Sequence, residues 1–170
     1  MNIRKEIIPL MKVAEERYPV ILKAVLVYTD YCDEYGDEDN IGYKRVEQAL
    51  HELTDKDMSN YDLWEYWEGE SAEVFAFRIA LPDPLPVKDI TEEELRFVVT
   101  KLKTFVEVDY TKKMTFEEEF DIYLDEYYYS FLKLNCSNYS PKLFNRNKNE
   151  KGEYFEYSIE EIVKHLTQSS

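Results

Sequence analysis

The chain has 170 residues, of which 34% are charged, 44% hydrophobic and 15% aromatic. This globular composition excludes the disordered, collagenous and membrane-spanning classes. The 36 acidic and 21 basic residues leave a formal net charge of −15, which argues against direct binding of nucleic acid or of an anionic membrane surface. A chain of this length fits one domain, so we expect a single domain over 1–170.

The N-terminus and the cysteines indicate the cellular compartment. The apolar run that follows Arg4 and Lys5 ends at Lys12, which is too early for a signal peptide. Cys32 and Cys136 lie far apart in the sequence, and neither has a second Cys or a His at metal-ligand spacing. These features predict a cytoplasmic protein with two unpaired thiols.

The first half of the chain shows mostly helical periodicity. Apolar residues recur every three or four positions and predict helices over 3–17, 18–35 and 43–53, with Pro19 in the first turn of the second helix. Ser59 followed by Asp62 is typical of a helix cap and suggests a short helix that carries Trp64 and Trp67, although the pattern of this segment also fits a strand.

The central segment and the connector that follows define the expected sheet. Between 73 and 81 the side chains alternate between two apolar faces, which predicts a central strand buried on both sides. Prolines then recur at every second position over 82–86, and this connector is the one place where the domain could be subdivided. The fold class is therefore α+β: a helix-rich domain with a small, mostly antiparallel sheet formed by this strand and a C-terminal hairpin near 143–157.

The second half of the chain carries three helix-start signals. Thr91 with Glu94, Thr115 with Glu118 and Ser158 with Glu161 are capping boxes. The second box opens the longest predicted helix, which ends near the polar stretch 135–140. Segments 143–146 and 153–157 flank a turn and form the predicted hairpin, and 106–110 is a candidate short strand. The apolar stripe of the long helix comprises Phe116, Phe120, Tyr123, Leu124, Tyr127, Phe131 and Leu134.

Known catalytic and metal motifs are absent from the sequence. The four glycines cannot form a Walker loop or a dinucleotide fingerprint, and the two cysteines and two histidines are scattered singly. The acidic loop at 33–40 fails the calcium-loop pattern, because Ile41 and Gln48 occupy positions that need oxygen ligands from Asp, Asn or Glu. We therefore predict no catalytic residue, no cofactor and no metal, and expect that the protein is not an enzyme.

Charge is distributed very unevenly along the sequence. Residues 30–73 contain 15 acidic and 3 basic residues, a net charge of −12, whereas residues 133–151 carry +4. Clustering like charge costs stability, so such a cluster serves either solubility or a basic partner. The candidate partner-binding residues lie in an acidic loop, a tryptophan segment and a helical row: Asp33, Glu34, Asp37, Glu38 and Asp39; Asp62, Trp64, Glu65, Trp67 and Glu68; and Glu117, Asp121 and Asp125.

In size, acidity, tyrosine content and lack of catalytic motifs, the chain is similar to small bacterial inhibitors such as immunity proteins. The leading hypothesis is an acidic inhibitor that blocks a basic, nucleic-acid-acting protein. Three alternatives stay open: a nucleic-acid mimic of the anti-restriction or anti-defence kind that uses the helical row, a metal-dependent enzyme with a carboxylate site, and a self-assembling structural subunit. The sequence leaves open the oligomeric state and whether the two tryptophans face the core or the solvent.

Overall fold

A computed structural model describes residues 3–104 and 111–167. The described residues form a helix-rich α+β fold, with seven α-helices and one two-stranded antiparallel sheet. Of the helices in these ranges, none is both long enough and apolar enough to cross a membrane. The helices are α1 (Met11–Tyr35), α2 (Ile41–Thr54), α3 (Ala72–Ala80), α4 (Glu92–Lys103), α5 (Phe116–Phe120), α6 (Asp125–Asn135) and α7 (Ile159–Thr167), and the strands are β1 (Asn147–Lys148) and β2 (Tyr154–Phe155).

The chain divides into two compact units. We call Leu10–Asp83 with Thr115–Asp121 the acidic unit, because its 22 acidic and 7 basic residues give a net charge of −15. We call the remainder the neutral unit, because it has 14 residues of each sign. One boundary between them, Asp83 to Pro84, lies within the proline-rich connector 82–86.

The acidic unit is built around a helix pair. α1 packs along α3 and also contacts α2. Ile21 and Val25 of α1 are almost fully buried, as is Phe77 of α3. The ring of Phe77 stacks on Phe120 of α5, with 4.3 Å between the centroids. Aromatic side chains therefore make up much of this core.

The predicted central strand at 73–81 is wrong, because this segment is helix α3. Its side chains are buried almost all round: Val74, Phe75, Phe77 and Ile79 have at most 8% exposure. Where nearly every position is apolar, an alternating pattern and a helical one cannot be told apart. The Ser71 hydroxyl accepts a hydrogen bond from the backbone N–H of Val74 and caps the helix.

The predicted break between two N-terminal helices is also wrong. A single helix, α1, runs through Pro19, and residues 3–10 lie outside it. Proline cannot donate to the carbonyl of Glu15, which costs a hydrogen bond in a helix interior. Both residues are exposed, so water can satisfy that carbonyl. The predicted helix over 43–53 is confirmed by α2.

The neutral unit has α4 packed on α6 and α7. Val98 and Val99 of α4 are fully buried in its core, as are Phe131 of α6 and Ile162 of α7.

All three predicted capping boxes are confirmed, at Thr91 with Glu94, Thr115 with Glu118, and Ser158 with Glu161.

The long helix predicted from Thr115 to the polar stretch is interrupted. α5 ends at Phe120, a 3-10 helix occupies Asp121–Tyr123, and α6 begins at Asp125. A 3-10 turn advances each side chain by about 120° instead of the 100° of an α-helix, so the apolar stripe is not continuous. Phe120 packs in the acidic unit and Phe131 in the neutral unit, which shows that tertiary packing overrides the sequence periodicity.

The predicted C-terminal hairpin is confirmed, although it is shorter than expected. Asn147 pairs with Phe155 and Lys148 with Tyr154 in antiparallel register. The position predicted for the first strand, 143–146, is wrong: a 3-10 helix occupies Pro141–Leu143, and β1 lies at Asn147–Lys148, inside the predicted turn. The Ser140 hydroxyl accepts a hydrogen bond from the backbone N–H of Lys142 and caps that 3-10 helix. The candidate strand at 106–110 lies outside the described residues.

Candidate partner-binding surface

The two tryptophans of the acidic unit lie at the surface. Trp64 is 43% exposed and Trp67 is 64% exposed, although rings of this size are usually buried. The indole Nε1–H of Trp67 donates to the carbonyl of Trp64 at 2.8 Å, which fixes the second ring relative to the first residue.

Local hydrogen bonds and one buried ring hold this segment in place. Oδ1 of Asp62 accepts hydrogen bonds from the backbone N–H groups of Trp64 at 2.8 Å and Glu65 at 3.1 Å. The buried ring of Tyr66 stacks on Phe75, with 4.6 Å between the centroids. Asp62 therefore stabilises a turn. The predicted capped helix is wrong: the turn leads into a 3-10 helix at Tyr66–Glu68, while Asp57 caps a separate 3-10 helix at Met58–Asn60.

Asp37 of the acidic loop is buried. It is 3% exposed, and its carboxylate accepts hydrogen bonds from the backbone N–H groups of Gly42 at 2.9 Å and Tyr43 at 2.7 Å, and from the Tyr28 hydroxyl at 3.0 Å. Burial alone would raise the pKa of Asp37, but the donors outweigh it and the pKa is lowered. We therefore leave Asp37 out of the binding surface.

Asp37 positions the start of α2. A Cβ added at Gly42 would come within 3.1 Å of an Asp37 carboxylate oxygen, so this close approach favours glycine. The exposed side chain of Asp39 accepts a hydrogen bond from the backbone N–H of Ile41 at 3.1 Å. Two carboxylates thus satisfy N–H groups that the first turn of a helix leaves without partners.

A cleft of about 580 Å³ lies between α2 and the tryptophan segment. Burial raises the pKa of Tyr43, and the negative charges of Asp62 and Glu47 raise it further against an opposing backbone hydrogen bond at Leu63. Both carboxylates therefore act on the tyrosine inside this cleft. The lining residues are Asn40, Tyr43, Lys44, Glu47, Asp62 and Trp64.

The cleft combines predicted residues with residues that the sequence did not indicate. Asp62 and Trp64 were predicted to bind a partner. Tyr43, Lys44 and Glu47 were not, because they lie about 20 positions away on α2 and no spacing motif links the two segments. The remaining predicted acids of the loop and the tryptophan segment are exposed: Asp33, Glu34, Glu38, Asp39, Glu65 and Glu68.

The predicted row of Glu117, Asp121 and Asp125 does not form one helical face. Glu117 lies in α5, Asp121 begins the 3-10 helix and Asp125 begins α6. The regular four-residue spacing therefore does not translate into evenly spaced charges on one α-helix. We base no proposal on this row.

Comparisons with known proteins give no independent indication of function. No family model, curated protein or solved structure matches this chain. Within residues 3–104 and 111–167, no group of three or more His, Cys, Asp or Glu side chains is arranged to hold a metal ion. The proposals that follow therefore depend on the physical chemistry of the surface.

Proposed function

We propose that this protein binds a basic protein partner through the acidic unit and inhibits it by covering its functional surface. The observation that carries the proposal is the exposure of Trp64 and Trp67 among exposed carboxylates. Tryptophan is enriched among the residues that dominate binding energy, and surrounding charge steers an oppositely charged partner. We call the exposed residues Asp62, Trp64, Glu65, Trp67 and Glu68 the tryptophan surface.

The charge distribution supports a basic partner. The acidic unit carries −15, equal to the net charge of the whole chain. Such a field accelerates association with a cation-rich surface, and the acceleration falls as salt rises. Proteins that act on nucleic acids present such surfaces, so we propose a cytoplasmic, nucleic-acid-acting target. The protein would block that target by occupying the site that nucleic acid uses.

The experiment is a nuclease-treated pull-down from the host at low and high salt, followed by association kinetics with the recovered protein. Reversing two exposed loop charges, with Asp33→Lys and Glu38→Lys, should slow association about tenfold at low salt and flatten its salt dependence. The thermal midpoint should change little, because both side chains are exposed.

The matched control reverses two exposed cations of the neutral unit, with Lys5→Glu and Lys151→Glu. This control should leave the association rate unchanged or raise it slightly, because it makes the chain more acidic. Equal slowing by both double variants would remove the acidic unit from the interface. Recovery of no stoichiometric partner at either salt would contradict the proposed function.

A further inference from the structure

We infer that the cleft between α2 and the tryptophan segment receives an arginine side chain of the partner. This inference rests on the proposed function and names the group that the tryptophan surface recognises. The cleft holds about 580 Å³, within the usual range of ligand-binding clefts and ample for one long side chain. Its lining combines two aromatic side chains with two carboxylates.

The aromatic residues suit a cation that is planar and weakly hydrated. Tryptophan gives the strongest cation–π attraction of the aromatic side chains, and a guanidinium also stacks on such rings. Trp64 is 43% exposed and Tyr43 is partly buried, so both rings offer surface to an incoming group. An ammonium group gains less here, because it is compact and more strongly hydrated.

The carboxylates suit the hydrogen-bonding geometry of arginine. Oδ1 of Asp62 is occupied by two backbone N–H groups, so the position of this carboxylate is fixed before a partner arrives. Glu47 lies one turn after Tyr43 on α2 and lines the same cleft. A guanidinium has five N–H donors and can serve both carboxylates at once, whereas a lysine offers three from a single atom.

Lys44 also lines the cleft and opposes a cationic guest. Counting Asp62, Glu47 and Lys44, the lining has a net charge of −1. Neutralising the lysine with Lys44→Gln removes a like charge and should therefore strengthen binding of a cation. A cleft that takes an apolar or anionic group would show the opposite change or none.

The test uses short peptides and tryptophan fluorescence. In a Trp67→Phe background Trp64 is the sole tryptophan, so its emission reports directly on the cleft. The probes are the peptide Gly-Gly-Arg-Gly-Gly with blocked ends and the same peptide with citrulline, the neutral isostere, in place of arginine. The arginine peptide should change the emission saturably, and the citrulline peptide should not.

Variants of the lining locate the binding site. Asp62→Asn and Glu47→Gln should each weaken the apparent affinity for the arginine peptide about threefold, and Lys44→Gln should tighten it by a similar factor. In the matched variant Trp64→Phe the remaining Trp67 reports from outside the cleft and should respond weakly. Circular dichroism checks that each variant keeps its helices.

The outcomes separate this inference from the proposed function. Equal responses to the arginine and citrulline peptides, or an equal response from Trp67 alone, would overturn the arginine site. If the pull-down still recovers a partner in that case, the proposed function stands without the inference. Binding of the arginine peptide without any recovered partner would support the chemistry of the cleft and contradict the proposed function.

Discussion

The acidic unit and the neutral unit differ in net charge and in how their charged residues affect stability. All of the net charge lies in the acidic unit, where 22 acidic residues face 7 basic ones, while the neutral unit has 14 of each. In the neutral unit the charges pair, as when Arg96 of α4 contacts Glu160 of α7 at 2.9 Å. In the acidic unit 7 cations are too few to pair with 22 carboxylates, so the repulsion among the excess carboxylates must be offset by the core.

The acidic unit therefore concentrates like charge in spite of the cost of that repulsion in stability. A protein that needed only solubility could achieve it with charges of both signs spread over the surface. Here the like charges surround two exposed tryptophans and a cleft, an arrangement that would steer a basic partner under the proposed function. The hairpin of the neutral unit shows the reverse arrangement, with exposed cations around an exposed tyrosine.

Truncating the aromatic core of the acidic unit should lower stability more than any other change considered, because this core offsets the charge repulsion. Phe77 is fully buried against Phe120, so Phe77→Ala should lower the free energy of unfolding by about 3–5 kcal/mol. Both tryptophans belong to the acidic unit, so urea unfolding followed by their fluorescence measures this change. Tyr35→Ala, at a 70% exposed position, is the control and should change stability by less than about 0.5 kcal/mol.

A loss below 1 kcal/mol for Phe77→Ala would mean that the acidic unit lacks a tightly packed core. In that case the comparison between the units fails, because nothing would balance the concentrated charge. Raising the salt concentration provides a second check, since screening should stabilise the acidic unit in the wild-type protein.

Acid should destabilise the neutral unit through the buried carboxylate of Glu94. Glu94 is 4% exposed and accepts hydrogen bonds from Arg4 at 2.6 and 2.8 Å. The Arg4 guanidinium, together with the N–H and hydroxyl of Thr91, outweighs burial and lowers the pKa of Glu94 to about 2. This carboxylate therefore adds stability above its ordinary pKa of 4.5, and the contribution is lost as the pH falls from there towards 2.

Glu94→Gln should remove that part of the pH dependence and lower stability at pH 7. Urea unfolding followed by circular dichroism at several pH values measures it, at low protein concentration because the sequence pI is about 4.6. Glu93→Gln is the matched control, since Glu93 is exposed in the same helical turn. An unchanged pH profile in Glu94→Gln would show that this carboxylate does not govern the acid limb.

The three capping boxes predicted helix starts correctly, because each is a reciprocal pair of side chains three positions apart. Thr91 with Glu94 and Ser158 with Glu161 make the expected reciprocal bonds. Ser59 with Asp62 lacks the Glu or Gln of such a pair, and the helix start predicted there is wrong. The segment 73–81 was misassigned because a helix buried on every side has no polar face to reveal its period. Its signal was Ser71, whose hydroxyl caps the helix.

The candidate site was predictable only in part, for a related reason. The composition around Trp64 indicated recognition, but composition does not tell which aromatic ring is exposed: Trp64 lies at the surface, whereas Tyr66, two positions later, is buried against Phe75. Asp37 looked like its acidic neighbours in sequence, and only the fold turns its carboxylate inward to α2. Contacts between residues five to nine positions apart decide such cases, and no helix or strand period encodes them.

Removing the aromatic ring of the hairpin should change stability least. The guanidinium of Arg146 lies 4.3 Å and the ammonium of Lys148 lies 4.8 Å from the ring centroid of Tyr154, which pairs with Lys148 across the two strands. At exposed sites each cation–π contact contributes about 0.5–1 kcal/mol, and two contacts to one ring rarely add fully. Tyr154→Leu keeps an apolar side chain but removes the π-face, so it should destabilise the hairpin by about 1 kcal/mol.

Hydrogen exchange at the Asn149 amide measures this change, because that N–H donates to the carbonyl of Glu153 at 2.9 Å and closes the hairpin. Exchange should accelerate about fivefold in Tyr154→Leu, while Tyr154→Phe retains the ring and should exchange like the wild type. Equal acceleration in both variants would assign the effect to the hydroxyl. The acidic unit has anions around its exposed aromatic rings, whereas the hairpin has cations around the ring of Tyr154. Wild-type exchange in Tyr154→Phe would show that the aromatic ring, and not the hydroxyl, binds the two cations of the hairpin.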